Sequence, residues 1–234
     1  MKILCTICMR EKSKGIPNKN LKKINGKSLM YYTINHAIKA KLFNRIIIST
    51  DSKKIFNRAI SYGAEGFFLR DKKISNDFAP KVPVIRDALI KTEEHYKENY
   101  EYIFDLDVTS PLRSPVDIKK AYKQFVAENS NNLISATISK KNPYFNLIEK
   151  KPGNLIAPVK KLKKIITRRQ DSFTTYDMNA SIYIWKRKFL LKSDSLFTNK
   201  TSLYLMNERQ SFDIDTNLDF EIVEFLLKKQ KNKI

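Results

Sequence analysis

The chain has 234 residues, of which 42% are hydrophobic and 11% aromatic, and it carries a formal net charge of +21 at pH 7. This composition suits one packed α/β domain and argues against a disordered chain, and no run of eighteen apolar residues predicts a membrane span. The lysines are spread along the whole chain. The charge therefore favours anionic ligands in a concave site but does not alone indicate nucleic acid.

The first apolar stretch, ILCTIC at 3–8, predicts a buried first strand, and no cleavage pattern typical of a signal peptide follows it. It contains the only two cysteines, Cys5 and Cys8, in C-x-x-C spacing. Both lie inside the strand, whereas a redox pair opens a helix, and with only two histidines a zinc site is hard to assemble. We interpret them as core thiols, which suit a reducing cytoplasm.

Strands and helices then alternate at the intervals of βαβ units through the first 140 residues. The pattern predicts a mostly parallel sheet with helices on both faces, because each strand is followed by one amphipathic helical segment. The predicted strands are 45–50, 65–70, 102–108 and 133–139; the predicted helices run from Lys27 to about 42, from Asp51 or Ser52 to Gly63, near 83–95, and from Ser114 to about Glu128.

The alternation breaks at 141–170, which contains three prolines, a Pro-Gly turn and short alternating apolar runs. This pattern predicts hairpins that project from the core, so we expect one domain over 1–234 with an inserted arm. Strands are predicted again at 180–187 and 202–207. Thr216 and Asp219 form a capping-box pattern that starts the last helix.

The loop after the first strand, MREKSKGIPNKN at 9–20, is the first candidate site, because ligands of open parallel sheets lie beyond the carboxyl ends of the strands. Gly15 would let the backbone approach a ligand closely. The spacing is not that of a Walker loop, and an anion-binding loop and a solvated turn remain equal alternatives. The loop's positive charges are Arg10, Lys12, Lys14 and Lys19.

A second candidate loop, FFLRDKKISNDFAP, places Arg70 directly after a predicted strand. Asn76 and Asp77 in this loop could meet a base or a ribose. An ordinary polar loop is the alternative interpretation.

The third candidate, DLDVTSPLRSP, has Asp105 and Asp107 near the end of a strand, where the period of two puts both on one face. A carboxylate in so apolar a strand is costly unless it is paired, hydrogen-bonded or metal-bound. Arg113 is the local partner that could satisfy one of them. We favour a functional role for Asp107 and an ion pair for Asp105.

The fourth candidate, FDIDTNLDF, repeats this arrangement with Asp213 and Asp215. Two carboxylates held together repel each other unless a cation lies between them, and Mg²⁺ is typically held by one or two carboxylates plus substrate oxygens. Helix capping by Asp215 is the alternative, although Thr216 can already cap. The basic loop, the polar loop and this acidic pair together indicate a nucleoside triphosphate site with a divalent cation.

Four motifs in order carry a resemblance over nearly the whole chain: R-x-x-S-K-G-x-P-x-K-N at 10–20, T-S-P-L-R at 109–113, N-A-S-I-Y-I at 179–184 and D-I-D-T at 213–216. The chain resembles the cytidylyltransferases that activate nonulosonic acids, a family that includes the CMP-sialic acid synthetases. Glu11 and Lys12 depart from the two glycines of many members. Asp107 stands where sialic acid enzymes usually have Gln, and the D-L-D-V-T-S-P-L-R form looks most like the legionaminic acid branch.

The resemblance implies a Rossmann-like fold of the nucleotide-diphospho-sugar transferase type, a homodimer formed by an arm at 141–180, and the reaction of CTP with a sugar acid to give a CMP-sugar and pyrophosphate. It implies Mg²⁺ on Asp213 and Asp215, triphosphate contacts from Arg10 and Lys19, and further nucleotide contacts from Ser13, Lys14, Gly15, Asn20, Arg70 and Asp77. The implied sugar contacts are Asp107, Arg169, Gln170, Asn179, Tyr183 and, from the other subunit, Phe197.

Several alternatives remain open on the sequence. Another sugar acid, such as pseudaminic acid, sialic acid or Kdo, or another base, would suit the same motifs, and the general base could be a metal-bound carboxylate or Asp107. A basic nucleic-acid-binding module would leave both acidic pairs unexplained. We therefore expect a cytoplasmic enzyme with no nucleic acid partner.

Overall fold

The computed structural model of the protein describes residues 1–13, 15–163 and 167–231. Its strands are β1 (Ile3–Cys8), β2 (Lys23–Ile24), β3 (Lys27–Ser28), β4 (Arg45–Ser49), β5 (Tyr102–Leu106), β6 (Asn132–Ile138), β7 (Ile148–Lys150), β8 (Ile156–Pro158), β9 (Tyr176–Lys186) and β10 (Thr201–Leu205). Its α-helices are α1 (Leu29–Ala40), α2 (Lys53–Ile60), α3 (Lys81–Tyr96), α4 (Pro115–Ala127), α5 (Arg187–Leu190) and α6 (Asn217–Lys231).

The central sheet has the strand order β10-β6-β9-β5-β1-β4. β1 pairs in parallel with β4 and β5, and β10 pairs in parallel with β6. β9 lies antiparallel between β5 and β6, because the chain returns to the sheet from the arm in the opposite direction. Apolar residues of α1, α2, α4 and α6 cover one face, and those of α3 and α5 cover the other. The predicted α/β fold with a mostly parallel sheet is confirmed.

The prediction of a strand at 65–70 is wrong. Only Glu65 pairs with the sheet, through a single bridge to Ile47 on the edge strand β4. The aromatic side chains that suggested a strand pack elsewhere: the ring of Phe67 stacks on His95 of α3 with 4.0 Å between ring centroids. Packing against α3 therefore accompanies the loss of strand pairing after Glu65, and the chain returns to the end of β4 at Arg70, whose amide donates to the carbonyl of Thr50 at 2.8 Å.

The arm begins with the predicted hairpin, in which β7 and β8 pair antiparallel. Its turn, Pro152–Asn154, contains Gly153 at φ 76°, a conformation that glycine adopts without strain. The last residues of the predicted arm belong to β9, which begins at Tyr176 instead of residue 180. In the described ranges, no helix is long and apolar enough to cross a membrane.

The beginning of α6 follows the predicted capping box. The hydroxyl of Thr216 accepts a hydrogen bond from the amide of Asp219 at 3.2 Å, and the Asp219 carboxylate accepts from the amide of Thr216 at 2.7 Å. These contacts satisfy amides that a helix leaves unpaired at its start. The cap therefore does not need the side chain of Asp215, which precedes it.

Candidate active site

The opening loop and the second acidic pair, which are distant in sequence, lie in contact. Nζ of Lys19 donates a hydrogen bond to the carbonyl of Ile214 at 2.7 Å and lies 3.3 Å from Oδ1 of Asp215. A Cβ placed on Gly15 would lie 2.1 Å from the carbonyl oxygen of Asp215. A glycine is therefore required at position 15 because the backbone of Asp215 packs against it. The sequence instead predicts the close approach of a ligand at this glycine.

The opening loop is anchored on both sides. The side-chain amide of Asn20 donates to the carbonyl of Arg10 at 2.9 Å, and the Arg10 guanidinium forms a salt bridge with Asp77. Glu11, which replaces a glycine of the related motif, accepts a hydrogen bond from Ser52 at 2.9 Å. These contacts hold the loop at the carboxyl ends of β1 and β4. Ser13 lies in the loop and is partly exposed, and Lys14 lies outside the described residues.

Arg70 is buried and holds strand ends together. Its guanidinium donates to the carbonyls of Met9 at 2.8 Å and Ser49 at 3.2 Å, and its Nε donates to the hydroxyl of Ser75 at 2.9 Å. These contacts occupy the guanidinium with carbonyls at the ends of β1 and β4. Arg70 thus supports the backbone at the base of the opening loop, and its contact with a nucleotide stays a prediction.

Lys81 is the partner of the first acidic pair. Its ammonium lies 2.7 Å from Oδ2 of Asp107 and 3.1 Å from Oδ2 of Asp105. Asp105 is fully buried, and its Oδ1 accepts a hydrogen bond from the hydroxyl of Thr6 at 2.8 Å. The ion pair predicted for Asp105 is thus present, on a lysine that the sequence did not indicate.

The prediction that Arg113 would satisfy one of these carboxylates is wrong. The buried guanidinium of Arg113 donates to the hydroxyl of Thr33 at 2.9 Å, to the backbone carbonyl of Asp107 at 3.3 Å and to the carbonyl of Ser181. Burial lowers the pKa of Arg113 to about 10. Arg113 therefore fixes the loop backbone after β5 and leaves the carboxylates to Lys81.

Asp107 is a firmly ionised carboxylate. Oδ1 accepts hydrogen bonds from the amide and the hydroxyl of Thr109 at 3.2 and 3.1 Å. Burial acts to raise the pKa of Asp107, but the charge of Lys81 and these hydrogen bonds outweigh burial and lower the pKa to about 2. Asp107 is thus an acceptor at every physiological pH, which disfavours it as a general base.

The pKa of Asp213 is shifted in the opposite direction to that of Asp107. Burial, together with the negative charges of Asp107 and Asp215, raises the pKa of Asp213 to about 6, although a hydrogen bond from Thr109 acts to lower it. Oδ1 of Asp213 is buried and has no hydrogen-bond partner within the described ranges. The Ile214 amide donates to the Thr109 carbonyl at 3.0 Å and holds this pair beside the end of β5. An ionised carboxylate left in this state is stabilised by a cation.

The donor set fits Mg²⁺ completed by a ligand. Among the described residues, no group of three or more His, Cys, Asp or Glu side chains could hold a metal ion. Mg²⁺ does not need such a cage, since it is usually bound by one or two carboxylates plus substrate phosphates and water. The unpaired Oδ1 of Asp213 and the 75% exposed side chain of Asp215 supply that kind of partial site.

Two of the predicted sugar contacts lie close to the carboxylates. Tyr183 is buried, and its ring centroid lies 4.7 Å from the ammonium of Lys81. Asn179 lines a cavity of about 280 Å³ together with Asp213. The Asn179 side chain is itself buried: Oδ1 accepts from the hydroxyl of Ser135 at 2.7 Å, at the bulge where β9 shifts register against β6. Its visible role is to hold this bulge.

The remaining sugar candidates are not brought to the carboxylates within this chain. Arg169 and Gln170 line a cavity of about 340 Å³ with Asn142 and Phe173, and Arg169 donates to the carbonyl of Ser139. The 61% exposed side chain of Phe197 lines a separate apolar cavity of about 580 Å³ beside β6 and β10.

Sequence reasoning missed Lys81, for which one signal was present. Lys81 is the first residue of α3 and follows Pro80. A cation at this position faces the positive end of the helix dipole, which is unfavourable without a compensating anion. A lysine at a predicted helix start, next to a loop at the carboxyl edge of the sheet, could have indicated a partner for the acidic pair.

The chain is similar to known cytidylyltransferases over nearly its whole length. The family model described as cytidylyltransferase matches residues 4–234. The post-translational flagellin modification protein B of Campylobacter coli is 49% identical over 97% of this chain and 96% of that protein. The CMP-N,N'-diacetyllegionaminic acid synthase of Campylobacter jejuni subsp. jejuni is 50% identical over 96% of this chain and 94% of that protein.

A solved structure confirms the fold. The CMP:2-keto-3-deoxy-manno-octonic acid synthetase complexed with CTP has a TM-score of 0.68, with 14% identity over 98% of this chain and 100% of that chain. At this identity the likeness concerns the fold alone. The family match and the two relatives go further, and they show that this chain belongs to the cytidylyltransferase family of nucleotidyltransferases.

Proposed function

We propose that the protein joins CMP from CTP to the anomeric hydroxyl of a nonulosonic acid, N,N'-diacetyllegionaminic acid or a close relative, and releases pyrophosphate. The observation that carries this proposal is the contact between the basic opening loop and the second acidic pair, through Lys19 and the Ile214–Asp215 backbone. The 50% identity with a CMP-N,N'-diacetyllegionaminic acid synthase supports the choice of sugar.

The opening loop binds the triphosphate. Lys19 lies at the side of the acidic pair, and Arg10 lies at the other end of the loop, where its pairing with Asp77 keeps the guanidinium in place. Cationic side chains at these positions stabilise charge that builds on the departing pyrophosphate. Ser13, Lys14 and Gly15 belong to the same loop and complete the nucleotide contacts.

The cytidine lies on the side of the loop that faces the segment after β4. Asn20 holds the loop backbone at Arg10, and Arg70 holds the ends of β1 and β4 beneath it. Asp77 offers a carboxylate at the same side. Asn20 and Arg70 are already hydrogen-bonded to backbone carbonyls, so they shape the wall of the nucleotide site by holding the backbone in place.

Asp213 and Asp215 hold Mg²⁺ in this proposal. The buried, unpartnered Oδ1 of Asp213 and the raised pKa of this carboxyl support the assignment. When bound, the ion neutralises charge on phosphate oxygens of the nucleotide. The other residues position the substrates, since the sugar hydroxyl must attack the α-phosphorus in line with the departing pyrophosphate. The hydrogen bonds at the strand ends keep the residues that bind the two substrates in fixed positions.

The protein acts as a homodimer through the arm at 141–180. Support comes from large apolar side chains of the arm that are more than a third exposed, namely Phe145, Leu147, Ile148, Leu155, Ile156, Val159, Phe173, Tyr176 and Met178. Apolar patches of this kind are typical of protein interfaces. In a dimer, Arg169, Gln170 and Phe197 could reach the partner's sugar site, which would explain their positions away from the carboxylates. Light scattering after gel filtration measures this state directly.

A pyrophosphate-release assay with CTP, Mg²⁺ and a panel of nonulosonic acids tests the proposed reaction. We expect turnover with N,N'-diacetyllegionaminic acid and much weaker turnover with pseudaminic acid, sialic acid or Kdo. Replacement of CTP by ATP, GTP or UTP is the control for the base. Turnover with only one other sugar acid of the panel would identify that acid as the substrate in place of N,N'-diacetyllegionaminic acid. No turnover with any of the acids would overturn the proposal. We place the reaction in the cytoplasm, where CTP is available and the free thiols Cys5 and Cys8 are stable.

A further inference from the structure

Lys81 is held in a position that a helix alone would not favour. It is the first residue of α3, its N-cap residue Pro80 makes no side-chain capping bond, and its ammonium stands at the positive end of the helix dipole. Its side chain is only 24% exposed. The contacts of the ammonium must therefore compensate for both burial and the dipole.

Those contacts are two carboxylates and one aromatic ring. The ammonium lies 2.7 Å from Asp107, 3.1 Å from Asp105 and 4.7 Å from the ring centroid of Tyr183. Asp105 is fixed from its other side by the hydroxyl of Thr6 at 2.8 Å. Because Asp105 is buried and fixed, it holds the ammonium, and the ammonium in turn holds Asp107 at the carboxyl end of β5.

The hydrogen-bond capacity of Asp107 is almost filled. A carboxylate has about four acceptor positions on its two oxygens. Oδ1 accepts from the amide and the hydroxyl of Thr109, and Oδ2 accepts from Lys81. Within the described ranges, one acceptor position remains on Oδ2, on a side chain that is 23% exposed. A ligand that meets Asp107 therefore finds one oriented acceptor.

We propose that Lys81 is a positioning and specificity-determining residue of the sugar subsite, which holds Asp107 so that Oδ2 accepts a hydrogen bond from an N–H or O–H group of the sugar acid. The inference rests on the proposed function. Its chemical consequence is a preference for a sugar that presents an amide or hydroxyl hydrogen at this point. A carbonyl or carboxylate of the substrate placed there would face an oxygen that can only accept.

The charge of Lys81 also reduces the electrostatic repulsion between the first acidic pair and an acidic substrate. Asp105 and Asp107 together carry two negative charges, and Lys81 reduces the sum of the three side chains to −1. The sugar carboxylate must still lie away from Asp107, since like charges repel at short range. Lys81 orients Asp107 toward an N–H or O–H group of the sugar, and the charge of Asp107 keeps the sugar carboxylate away from that point. Both effects favour the same orientation of the bound sugar.

The experiment is a double-mutant cycle between Lys81→Met and Asp107→Asn, with KM and kcat measured for N,N'-diacetyllegionaminic acid and for CTP. We expect each single variant to raise the KM for the sugar acid about tenfold or more, an effect typical of a lost oriented contact, and to change the KM for CTP less than about twofold. Adding Lys81→Met to Asp107→Asn should change the sugar KM less than about twofold, because Lys81 acts through Asp107. Fully additive effects would overturn the inference.

A charge-balanced variant separates positioning from folding. Lys81→Met with Asp105→Asn restores the net charge of −1 and removes the buried carboxylate left without a partner. We expect this variant to recover the melting temperature of the wild type while its sugar KM stays high. If the wild-type enzyme is active and this variant has the same KM for the sugar acid, the inference about Lys81 is overturned and the proposed function is not. Absence of wild-type turnover with every sugar acid would instead overturn the proposed function and this inference with it.

Discussion

The chain contains two D-x-D pairs with the same spacing, one at the end of β5 and one before α6, and the fold surrounds them differently. The first pair, Asp105 and Asp107, shares the ammonium of Lys81 at 3.1 and 2.7 Å. Every oxygen of this pair is either hydrogen-bonded or within reach of that ammonium. The pKa of Asp107 falls to about 2 despite burial.

In the described part of the chain, no single cation is shared by both carboxylates of the second pair. Lys19 reaches the exposed Asp215, and Oδ1 of Asp213 is left buried and unpartnered. Burial and the neighbouring carboxylates raise the pKa of Asp213 to about 6. The same D-x-D spacing therefore does not by itself define a metal site. A pair that shares a cation built into the fold is a fixed acceptor, whereas the unpartnered Oδ1 of Asp213, as far as the described residues show, supports the proposal that the second pair binds a cation from solution.

Substitutions in the second pair should lower turnover more than any other change considered below changes the protein. We expect Asp213→Asn and Asp215→Asn each to lower kcat about 10²–10³-fold, because a metal's charge stabilisation amounts to several kcal/mol and 1.4 kcal/mol is a factor of ten. Pyrophosphate release at saturating CTP and sugar acid measures this effect. Asp194→Asn, which alters an 85% exposed side chain, is the matched control. Normal turnover of either variant at limiting Mg²⁺ would contradict the metal assignment.

The next effect concerns the stability of the first pair. Lys81→Met leaves two carboxylates without their cation, and we expect it to lower the free energy of unfolding by about 2–4 kcal/mol, somewhat below the usual cost of breaking a fully buried pair. Urea denaturation at pH 7 measures the change. Lys91→Met on the same helix, which removes a partly exposed i,i+4 pair with Asp87, should cost less than about 1 kcal/mol. Equal losses in the two variants would show that Lys81 contributes no more than an ordinary surface ion pair to the first pair of carboxylates.

The architecture was largely predictable because the strand and helix patterns are strong, and because the carboxyl-edge rule places loops such as 10–20 together with strand-end carboxylates. The contact of Lys19 with Asp215 bears out that geometric step. What the sequence could not supply is which distant side chain completes a local group. Lys81 is 26 residues from Asp107, and their pairing depends on how α3 crosses the end of β5.

Two wrong predictions have the same origin. Proximity in sequence favours Arg113 as a partner of Asp107, but carbonyls of the folded chain occupy its guanidinium. The segment 65–70 has the composition of a strand, yet after Glu65 its aromatic residues pack against α3 and the pairing with β4 stops. In both cases a local preference was overruled by a tertiary contact that no local pattern encodes.

A smaller effect, of opposite sign to that of Lys81→Met, is expected for the stability of the Asp213→Asn variant. The pKa of Asp213 is about 6 in the folded protein against an ordinary value of 3.8. A raised carboxyl pKa means that the folded state loses stability as the pH rises from about 4 to about 6, and the loss is complete above that range. Without divalent cations at pH 7, Asp213→Asn should therefore be more stable than wild type by about 1–3 kcal/mol.

Urea denaturation in chelator at pH 7 and at pH 4 tests this sign. The stability difference should shrink toward zero as the pH falls through 6 to 4, because the wild-type carboxyl then becomes protonated in the folded state. A variant that is less stable than wild type at pH 7 would show that the Asp213 carboxylate is satisfied by the fold. That outcome would remove the contrast between the two pairs.

The smallest effect is the response of the protein to Mg²⁺ alone. A ligand that binds only the folded state at ten times its dissociation constant stabilises that state by about 1.4 kcal/mol. We expect MgCl₂ to raise the melting temperature of the wild type, and to leave Asp213→Asn unchanged, when NaCl keeps the ionic strength equal. Lys81→Met/Asp105→Asn, whose second pair is intact, should still respond. If Mg²⁺ raised the melting temperature of Asp213→Asn as much as that of the wild type, the ion would be bound elsewhere, and the second pair would need another source of positive charge.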